Sequence, residues 1–441
     1  MLTYKNFRWS ILVFFLLIFA LRFYFSHPIR TYWFYSEAYV MRFQWLDSVN
    51  LYLKSGKILM YPPQERLEDV STGEDQGYPF ILSILGNLTG KKEMTFATFV
   101  RFNYLFLITL GIISSILLFL TFDHIAIALI FFYFYLRLDI YSGGLDHHWM
   151  LGALLPFYIS FLMFYIYSRQ KLSAFWLIFY LGVAGLANII REGYGVIGIM
   201  ILVGVGFMIW VIEKLKWRQV FRVQNLVWGV IFWVIYSAPG WTLDRVRNFR
   251  NQIYFDRQAS IMITHHGLWH NAFMGLGYVP NKYGIIWNDA NNLPFVRQVN
   301  QQANYMTNEY FSILGSLYFK YALADPGFWW TNYLAKIISI QQFIASLFPH
   351  ELKSFFPPFV RLLAFYVILL TTWRLSRSNK TRLLLTSLIL ISLVASSLPG
   401  IIGLPAQAYL RGLQSAYFMT WIYLFILLYL EFMSKFRRHY V

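Results

Sequence analysis

Residues 150–167 read MLGALLPFYISFLMFYIY, a run of 18 residues without one charged side chain. A helix of about 20 apolar residues is long enough to cross the hydrocarbon core of a bilayer. Similar runs recur along the chain, and 58% of its 441 residues are hydrophobic while only 13% are charged. This composition predicts an all-α polytopic membrane protein, because a helix in hydrocarbon satisfies its own backbone hydrogen bonds.

The apolar runs predict about ten transmembrane helices. The predicted spans are roughly 9–26, 101–120, 124–139, 150–167, 174–190, 196–213, 225–240, 357–373, 383–402 and 415–433. The first run follows Lys5 and Arg8 and lacks a small-residue cleavage site, so we expect a retained anchor helix rather than a signal peptide. The whole chain, residues 1–441, is then one membrane domain.

Basic residues fall in five clusters beside the predicted spans. They lie at residues 5–8, 169–171, 214–222, 374–382 and 435–438. Ten spans with both termini inside place all five clusters in the cytoplasm, as the positive-inside rule requires. We therefore attribute the net charge of +17 to topology and expect no nucleic-acid partner. The chain has no cysteine, which excludes disulfides and thiolate–metal sites.

Two long segments fall outside the membrane in this topology. Residues 27–100 form a first extracytoplasmic loop with amphipathic helices, and residues 241–356 form a second large extracytoplasmic segment. Within the second, residues 328–347 are apolar enough to suggest another span, but a crossing there would move the later basic clusters outside. We therefore predict an interfacial or re-entrant helix, with Trp329 and Trp330 at the level of the lipid head groups.

An acid and two histidines directly precede the run at 150–167. Asp146, His147 and His148 follow a Gly-Gly pair, and Asp and His side chains are common ligands of divalent cations. Two interpretations stay open. Either Asp146 and His148 hold a metal or take part in catalysis, with His147 touching substrate, or Asp146 caps the helix and the histidines are solvated.

Two arginines stand at predicted span ends on the same outer side. Arg191 closes the fifth span and Arg411 precedes the last one. The fork of a guanidinium matches phosphate oxygens well, so both are candidate phosphate ligands. The alternative for Arg191 is an interfacial ion pair with Glu192.

The second outer segment contains a cluster of histidines and aromatic residues. Residues 264–271 read THHGLWHN, and Trp287-Asn288-Asp289 follows later. Aromatic rings stack on the faces of sugar rings, and amide and carboxylate oxygens accept hydrogen bonds from sugar hydroxyls. We predict that His266, Trp269 and His270 contact substrate rather than metal, because their spacing does not match a zinc site.

The first outer segment contains two predicted helices. Residues 36–53 have an amphipathic helical pattern that ends at Lys54-Ser55-Gly56, and this pattern puts Glu37 in the first turn. Glu37 either interacts favourably with the positive end of the helix dipole or acts as a general base. A short apolar helix begins at Gly77-Tyr78-Pro79, lies on the surface and could support a lipid-linked substrate, with Tyr78 as a substrate contact.

These motifs resemble those of the C-type glycosyltransferase superfamily, membrane enzymes that use polyprenyl-phosphate-linked sugars as donors. Ser36-Glu37-Ala38-Tyr39 is similar to the site of the first-loop acid of the superfamily, with Asp47 as a second candidate. The stretch from Gly77 to Leu82 looks like its Tyr/Pro helix start. Asp146-His147-His148 is similar to a metal-binding loop of archaeal oligosaccharyltransferase catalytic subunits. The resemblance covers roughly residues 1–240.

The resemblance implies that Glu37 and Asp146 are catalytic and that Asp146 and His148 bind Mg²⁺ or Mn²⁺. It implies inverting transfer of a sugar to a lipid, glycan or other surface acceptor, outside a bacterial inner (cytoplasmic) membrane. Oligosaccharyltransferases carry a Trp-Trp-Asp-Tyr-Gly motif, and Phe328-Trp329-Trp330-Thr331 lacks its acid and its glycine. Protein glycosylation in the manner of an oligosaccharyltransferase is therefore only an alternative to transfer to a surface acceptor. Two further alternatives are a transporter of lipid-linked sugars and a non-catalytic subunit of a glycan-assembly complex.

Overall fold

The computed structural model describes residues 4–26, 37–62, 65–67, 76–138, 150–168, 174–191, 193–214, 223–255, 267–347, 356–377, 379–405 and 410–440. Within these ranges the chain forms 16 α-helices. The only strands found there are β1 (Met60–Tyr61) and β2 (Glu65–Arg66), which pair antiparallel. The predicted all-α class is therefore confirmed.

Eight of these 16 helices, all within the described ranges, come before residue 215. They are α1 (Tyr4–Ser26), α2 (Glu37–Ser55), α3 (Gly77–Leu88), α4 (Phe96–Phe122), α5 (Ile125–Tyr135), α6 (Leu151–Tyr167), α7 (Ala174–Ile190) and α8 (Tyr194–Glu213). The predicted amphipathic helix corresponds to α2, and the short apolar helix corresponds to α3. Gly56 and Gly90, which follow these two helices, both have positive φ angles, the conformation that ends many helices.

Eight more helices follow. They are α9 (Val223–Tyr254), α10 (Gly267–Gly275), α11 (Asp289–Val299), α12 (Asn308–Ala324), α13 (Pro326–Ser346), α14 (Pro358–Ser376), α15 (Lys380–Ile402) and α16 (Arg411–Tyr440), with a 3₁₀ turn at Leu276–Tyr278. The predicted boundary at residues 240–241 lies inside α9, which continues for 14 residues beyond it. Pro239 does not end α9, although an interior proline removes one backbone donor and crowds the preceding turn.

Each predicted span coincides with a helix, but the helices differ in length and apolar character. In the described ranges, six helices (α1, α4, α8, α14, α15 and α16) are long and apolar enough to cross a membrane by length and composition. Four others in these ranges, α3, α5, α6 and α7, are shorter apolar helices, while α9, which coincides with the predicted span at 225–240, is in neither group. The structure is thus compatible with an integral membrane protein, while the number of ten spans remains a prediction.

Helix α6 is the centre of the helical bundle. Every residue from Leu151 to Met163 is buried, since α4, α7, α8, α15 and α16 all pack against it. The hydroxyl of Ser415 on α16 donates a hydrogen bond of 2.6 Å to the carbonyl oxygen of Gly152. A helix that is apolar on all sides is expected to be buried or to cross a membrane, and α6 is enclosed by other helices.

The two ends of the bundle carry different contacts. At one end Arg8 forms a 3.0 Å ion pair with Asp123, and Arg382 lies 3.6 Å from Glu431. This end holds the starts of α1, α5 and α15 and the ends of α4 and α16. The opposite end holds the starts of α6, α8 and α16 and the ends of α7 and α15. Arg8 thereby brings a basic side chain to the turn at residues 121–124, which has no Lys or Arg of its own.

A second core lies between α10 and α12, and it is built from residues 267–325. Its buried side chains include Phe273, Leu276, Val296, Tyr310 and Leu314. Asp325 ends this segment by accepting a 3.0 Å hydrogen bond from the backbone N–H of Phe328, which caps α13. Most of the predicted second outer segment is therefore a folded unit rather than an extended loop.

Helices α7 and α9 approach each other closely at Gly185. A Cβ atom added there would lie 2.4 Å from the carbonyl oxygen of Tyr236 and 3.2 Å from the ring of Pro239. Gly182, one turn earlier on α7, has no atom within 4 Å of such a Cβ. Small residues at helix interfaces allow this close approach of backbones in membranes.

We expect Gly185→Ala to lower the melting temperature of the detergent-solubilised chain, since the added methyl group forces α7 and α9 apart. Overpacking of this kind costs about 1–3 kcal/mol. Gly182→Ala is the matched control and should be neutral or slightly stabilising, because alanine has the higher helix propensity. Thermal unfolding followed by circular dichroism compares the two variants. Equal melting temperatures would contradict the close contact.

Candidate functional site

A cavity of about 340 Å³ lies at the end of the bundle opposite the Arg8–Asp123 ion pair. Its walls come from helix ends: the first residue of α6, the turn between α7 and α8, the first half of α10 and the last turn of α15. Helix ends carry backbone groups without intrahelical partners. The cavity therefore lies among polar backbone N–H and C=O groups at helix ends.

Arg191 is the charged residue in the described lining of this cavity. It directly follows α7, and its backbone N–H donates a 3.1 Å hydrogen bond to the carbonyl oxygen of Ala187. Gly193 then takes a φ of 91°, a left-handed conformation that glycine adopts without steric cost, and α8 begins at Tyr194. This tight turn places the half-buried Arg191 between two helix ends, at the cavity.

The rest of the described lining is uncharged and mostly apolar. Val196, Ile197 and Met200 contribute from α8, and Pro399 and Ile402 contribute from α15. Three neutral polar side chains, Tyr194, Asn271 and Trp287, complete the set. One guanidinium in an apolar wall gives the cavity an amphiphilic character.

Tyr78 does not line the cavity. It is 3% exposed, and its ring packs edge-on against Trp45 at 5.8 Å and Phe99 at 5.4 Å between ring centroids. The preceding Gly77 abuts the backbone of Ile189, where a Cβ would lie 2.0 Å from the carbonyl oxygen. Gly77 therefore places α3 against the end of α7, two residues before Arg191, while Tyr78 packs α3 against α2 and α4. Helix α3 is half buried rather than free on a surface.

Arg411 lies next to the cavity but not in its lining. It is the first residue of α16 and is 4% exposed, and its Nη1 donates a 2.9 Å hydrogen bond to Oε1 of Gln414. Gly412 beside it packs against Leu151, the cavity-lining residue that begins α6. Arg411 is thus brought to the same helix junction as Arg191.

His270 and Trp269 belong to the second core. His270 is fully buried, with Nδ1 2.8 Å from the hydroxyl of Tyr310 and Nε2 2.9 Å from Oδ1 of Asp289. Trp269 packs on Gly315 and Phe319 of α12. Their side chains hold α10 against α11 and α12, and neither residue lines the cavity. The substrate contacts predicted for them remain predictions.

Several predicted site residues lie outside the described part of the chain. They are Asp146, His147, His148 and His266, together with Glu192. Glu37 is the first residue of α2, as predicted, but its side chain also lies outside the described part. Within the described ranges, no group of three or more His, Asp or Glu side chains could hold a metal ion. The predicted roles and metal ligation of these residues therefore remain predictions.

No protein-family model, curated protein or solved structure matches the chain. What the cavity can do chemically must therefore be inferred from its own residues. Ligand sites are typically apolar pockets with a few well-placed polar groups, and this cavity fits that description. A guanidinium beside an apolar wall suits an anionic head group attached to a hydrocarbon chain.

Lys336 lies behind the cavity wall and was not among the predicted site residues. It is fully buried on α13, with Nζ 3.2 Å and 3.3 Å from the carbonyl oxygens of Ile401 and Ile402. The ring of Tyr333 lies 4.7 Å from the same Nζ. Since Ile402 also lines the cavity, Lys336 ties α13 to the last turn of α15 that forms one wall. A lysine within the apolar run at 328–347 was the available sequence signal.

We expect the stability of the folded chain to rise between about pH 7 and pH 10 because of Lys336. Burial lowers the pKa of Lys336 from 10.5 to about 7, since the ammonium form loses hydration. Between these two values the unfolded chain binds more protons than the folded chain, so the unfolding free energy increases with pH. Thermal unfolding in detergent at a series of pH values measures the effect.

The variant Lys336→Met should lose this pH-dependent rise. Lys320→Met is the matched control on α12, since Lys320 is exposed, and it should keep the rise. If the native chain and the Lys336→Met variant follow parallel curves from pH 7 to pH 10, Lys336 is not the group responsible.

Proposed function

We propose that the chain is an integral-membrane glycosyltransferase. It transfers a sugar from a polyprenyl-phosphate-linked donor to a lipid, glycan or other surface acceptor on the extracytoplasmic side of the membrane. The observation that carries the proposal is the amphiphilic cavity, in which Arg191 is the charged group in an otherwise apolar lining. Such a donor is itself an anionic head on a hydrocarbon chain.

Two features of the cavity favour a phosphate. The first is the guanidinium of Arg191, whose fork matches two phosphate oxygens. The second is the start of α8, because Gly193 and Tyr194 also line the cavity. The start of a helix is the positive end of the helix dipole, which favours anions.

The wall of α8 favours a lipid chain. Val196 and Met200 line the cavity and are 43% and 41% exposed. Exposed apolar side chains continue along α8 at Val203, Phe207 and Val211, with the three- and four-residue spacing of one helix face. A polyprenyl tail on this face would extend from the cavity into the membrane without crossing the protein.

The proposed reaction is a single displacement at the anomeric carbon. The acceptor hydroxyl oxygen forms a bond to that carbon while the bond to the phosphate oxygen breaks, and its electron pair leaves with the polyprenyl phosphate. The carboxylate of Glu37 takes the hydroxyl proton as general base. Arg191, supported by Arg411, stabilises the charge that develops on the leaving phosphate. One displacement inverts the configuration and needs no second carboxylate.

The other predicted residues adjoin the cavity lining in the sequence. The stretch Asp146-His147-His148 leads into Leu151, and His266 directly precedes Gly267; Leu151 and Gly267 both line the cavity. Asp146 and His148 are proposed to stabilise the leaving phosphate directly. If a divalent ion such as Mg²⁺ or Mn²⁺ were bound, these two residues would hold it, and it would supply positive charge for the phosphate. His147 and His266 are proposed to contact the head group.

The proposed side of the membrane follows from charge. The end of the bundle with Arg8 also holds the basic cluster at residues 374–382, between α14 and α15, and the cluster at residues 435–438, in the last turns of α16. The positive-inside rule puts that end in the cytoplasm. The cavity at the opposite end then faces the periplasm or the outside of the cell, and a bacterial inner membrane is the proposed location.

Arg191→Gln should lower kcat/KM for the lipid donor by about 100-fold or more, the loss seen when a donor to a developing negative charge is removed. Arg191→Lys should fall between the native chain and Arg191→Gln, since it keeps the charge but loses the fork. The matched control is Arg245→Gln, because Arg245 is exposed on α9 and does not line the cavity. Transfer from a radiolabelled polyprenyl-phosphate sugar measures all four proteins, and equal activity of Arg191→Gln and Arg245→Gln would remove Arg191 from the site.

The function itself is tested in cells that lack the protein. Mass spectrometry of their lipid extract should reveal accumulation of a polyprenyl-phosphate sugar. The native chain should clear this lipid, while a Glu37→Gln variant that is present at native levels in the membrane should not, because the amide cannot accept the proton. If no such lipid accumulates, or if Glu37→Gln clears it as fast as the native chain, the catalytic proposal fails.

A further inference from the structure

We infer that Asn271 and Trp287 form a sugar-binding subsite in the cavity, where they hold the sugar of the donor beside the phosphate at Arg191. This inference rests on the proposed function and assigns a specific role to the second core. Both residues line the cavity together with Arg191. They come from α10 and from the segment before α11, whereas Arg191 comes from the end of α7.

Asn271 offers an oriented hydrogen-bond acceptor. Its Nδ2 donates a 3.2 Å hydrogen bond to the carbonyl oxygen of Gly267, which fixes the plane of the side-chain amide. No described residue donates to its Oδ1, and the side chain is half-buried at the cavity. A partly buried acceptor gains most from a ligand that brings a donor, because leaving such a group without a partner is costly. A sugar hydroxyl is such a donor.

Trp287 offers an aromatic surface in the same cavity. Its position depends on Gly403 at the end of α15, where a Cβ would lie 3.0 Å from Cη2 of the indole. The half-buried indole therefore packs its edge on α15 and contributes to the lining at the same time. The C–H groups on one face of a sugar ring are apolar and pack on an indole, while the hydroxyls at the ring edge remain free to bond Asn271.

The second core holds α10 in one orientation. The side chain of His270 is hydrogen-bonded to both Tyr310 and Asp289. Consecutive side chains of a helix point in directions about 100° apart. With His270 directed into the second core, Asn271 is directed towards the cavity. A rigid support of this kind is what a recognition group needs to select one ligand.

The composition of the cavity favours a sugar over a second lipid chain. A purely hydrocarbon ligand would leave Oδ1 of Asn271 without a donor. A second anion would meet only one cation, since Arg191 is the charged residue in the described lining. A neutral polyhydroxylated ring satisfies the amide and the indole together. Either the sugar of the donor or a sugar of the acceptor glycan has this chemistry, and the structure favours the donor, because the subsite shares its cavity with Arg191.

The experiment measures equilibrium binding to the full chain in lipid nanodiscs. The probes are a short-chain polyprenyl phosphate without sugar and the same lipid carrying glucose, galactose, mannose or N-acetylglucosamine. We expect the native chain to bind at least one sugar-bearing lipid about tenfold more tightly than the bare lipid, the factor for one hydrogen bond of ordinary strength. Asn271→Leu, of similar volume, should abolish this gain and leave affinity for the bare lipid unchanged.

A second set of variants shows whether the loss comes from the missing side chain or from misfolding of a single variant. Asn271→Ala should behave as Asn271→Leu does. Trp287→Leu should reduce the gain, while Trp287→Phe should keep most of it because the ring is retained. Arg191→Gln should weaken binding of the bare and the sugar-bearing lipids alike, which separates the phosphate site from the sugar subsite.

Four outcomes would overturn the subsite. In the first, the native chain binds no sugar-bearing lipid more tightly than the bare lipid, and in the second, both Asn271 variants keep the full gain in affinity. In the third, the Asn271 variants lose affinity equally for the bare and the sugar-bearing lipids. In the fourth, the Asn271 variants change only the KM of the acceptor in transfer assays. The last outcome would assign Asn271 to the acceptor instead. If the native chain binds neither lipid, the proposed function fails first and the subsite fails with it.

Discussion

The enclosure of α6 by five other helices is the constraint on which the rest of the bundle depends. Leu151 to Met163 present apolar side chains in every direction and are all buried. Five neighbours must therefore cover α6 along its length, and their ends must meet near its first residue. The cavity lies beside Leu151, between the turn that joins α7 to α8 and the end of α15.

The cavity end of the bundle also concentrates buried cations. Arg411 bonds the side chain of Gln414, and Lys336 bonds two carbonyl oxygens of α15. An arginine stays protonated throughout the physiological pH range, so Arg191 and Arg411 are both charged at this end, whereas burial lowers the pKa of Lys336 to about 7.

The helices could be predicted from the sequence because hydropathy and helix length are local properties. Every predicted span coincides with a helix, and the start of α2 at Glu37 and the short helix α3 follow from local patterns. The end of α9 could not be predicted, because Pro239 and Gly240 are ordinary boundary signals. The helix continues there on account of tertiary contacts, which the sequence does not encode locally. In particular, α9 packs against Gly185 of α7.

The site could be predicted only in part, for a geometric reason. Arg191 follows a predicted span, so its place at a helix end was accessible from hydropathy. Whether His270 or Asn271 faces the cavity depends on a rotation of about 100° per residue along α10, which is fixed by Tyr310 and Asp289. Those partners are 40 and 19 residues away from His270. Lys336 likewise depends on carbonyl groups 65 and 66 residues later in the chain.

The hydrogen bond from Ser415 to Gly152 has a consequence for the biosynthesis of the protein. The two residues are 263 positions apart, so α6 leaves the ribosome long before the helix that covers its first turn. Until α16 arrives, the carbonyl oxygen of Gly152 and the apolar surface around Leu151 must be covered by lipid, water or the translocation machinery. Helix α16 therefore completes the core around a helix that was synthesised much earlier, and the first turn of α6 gains its full cover only when α16 has been translated.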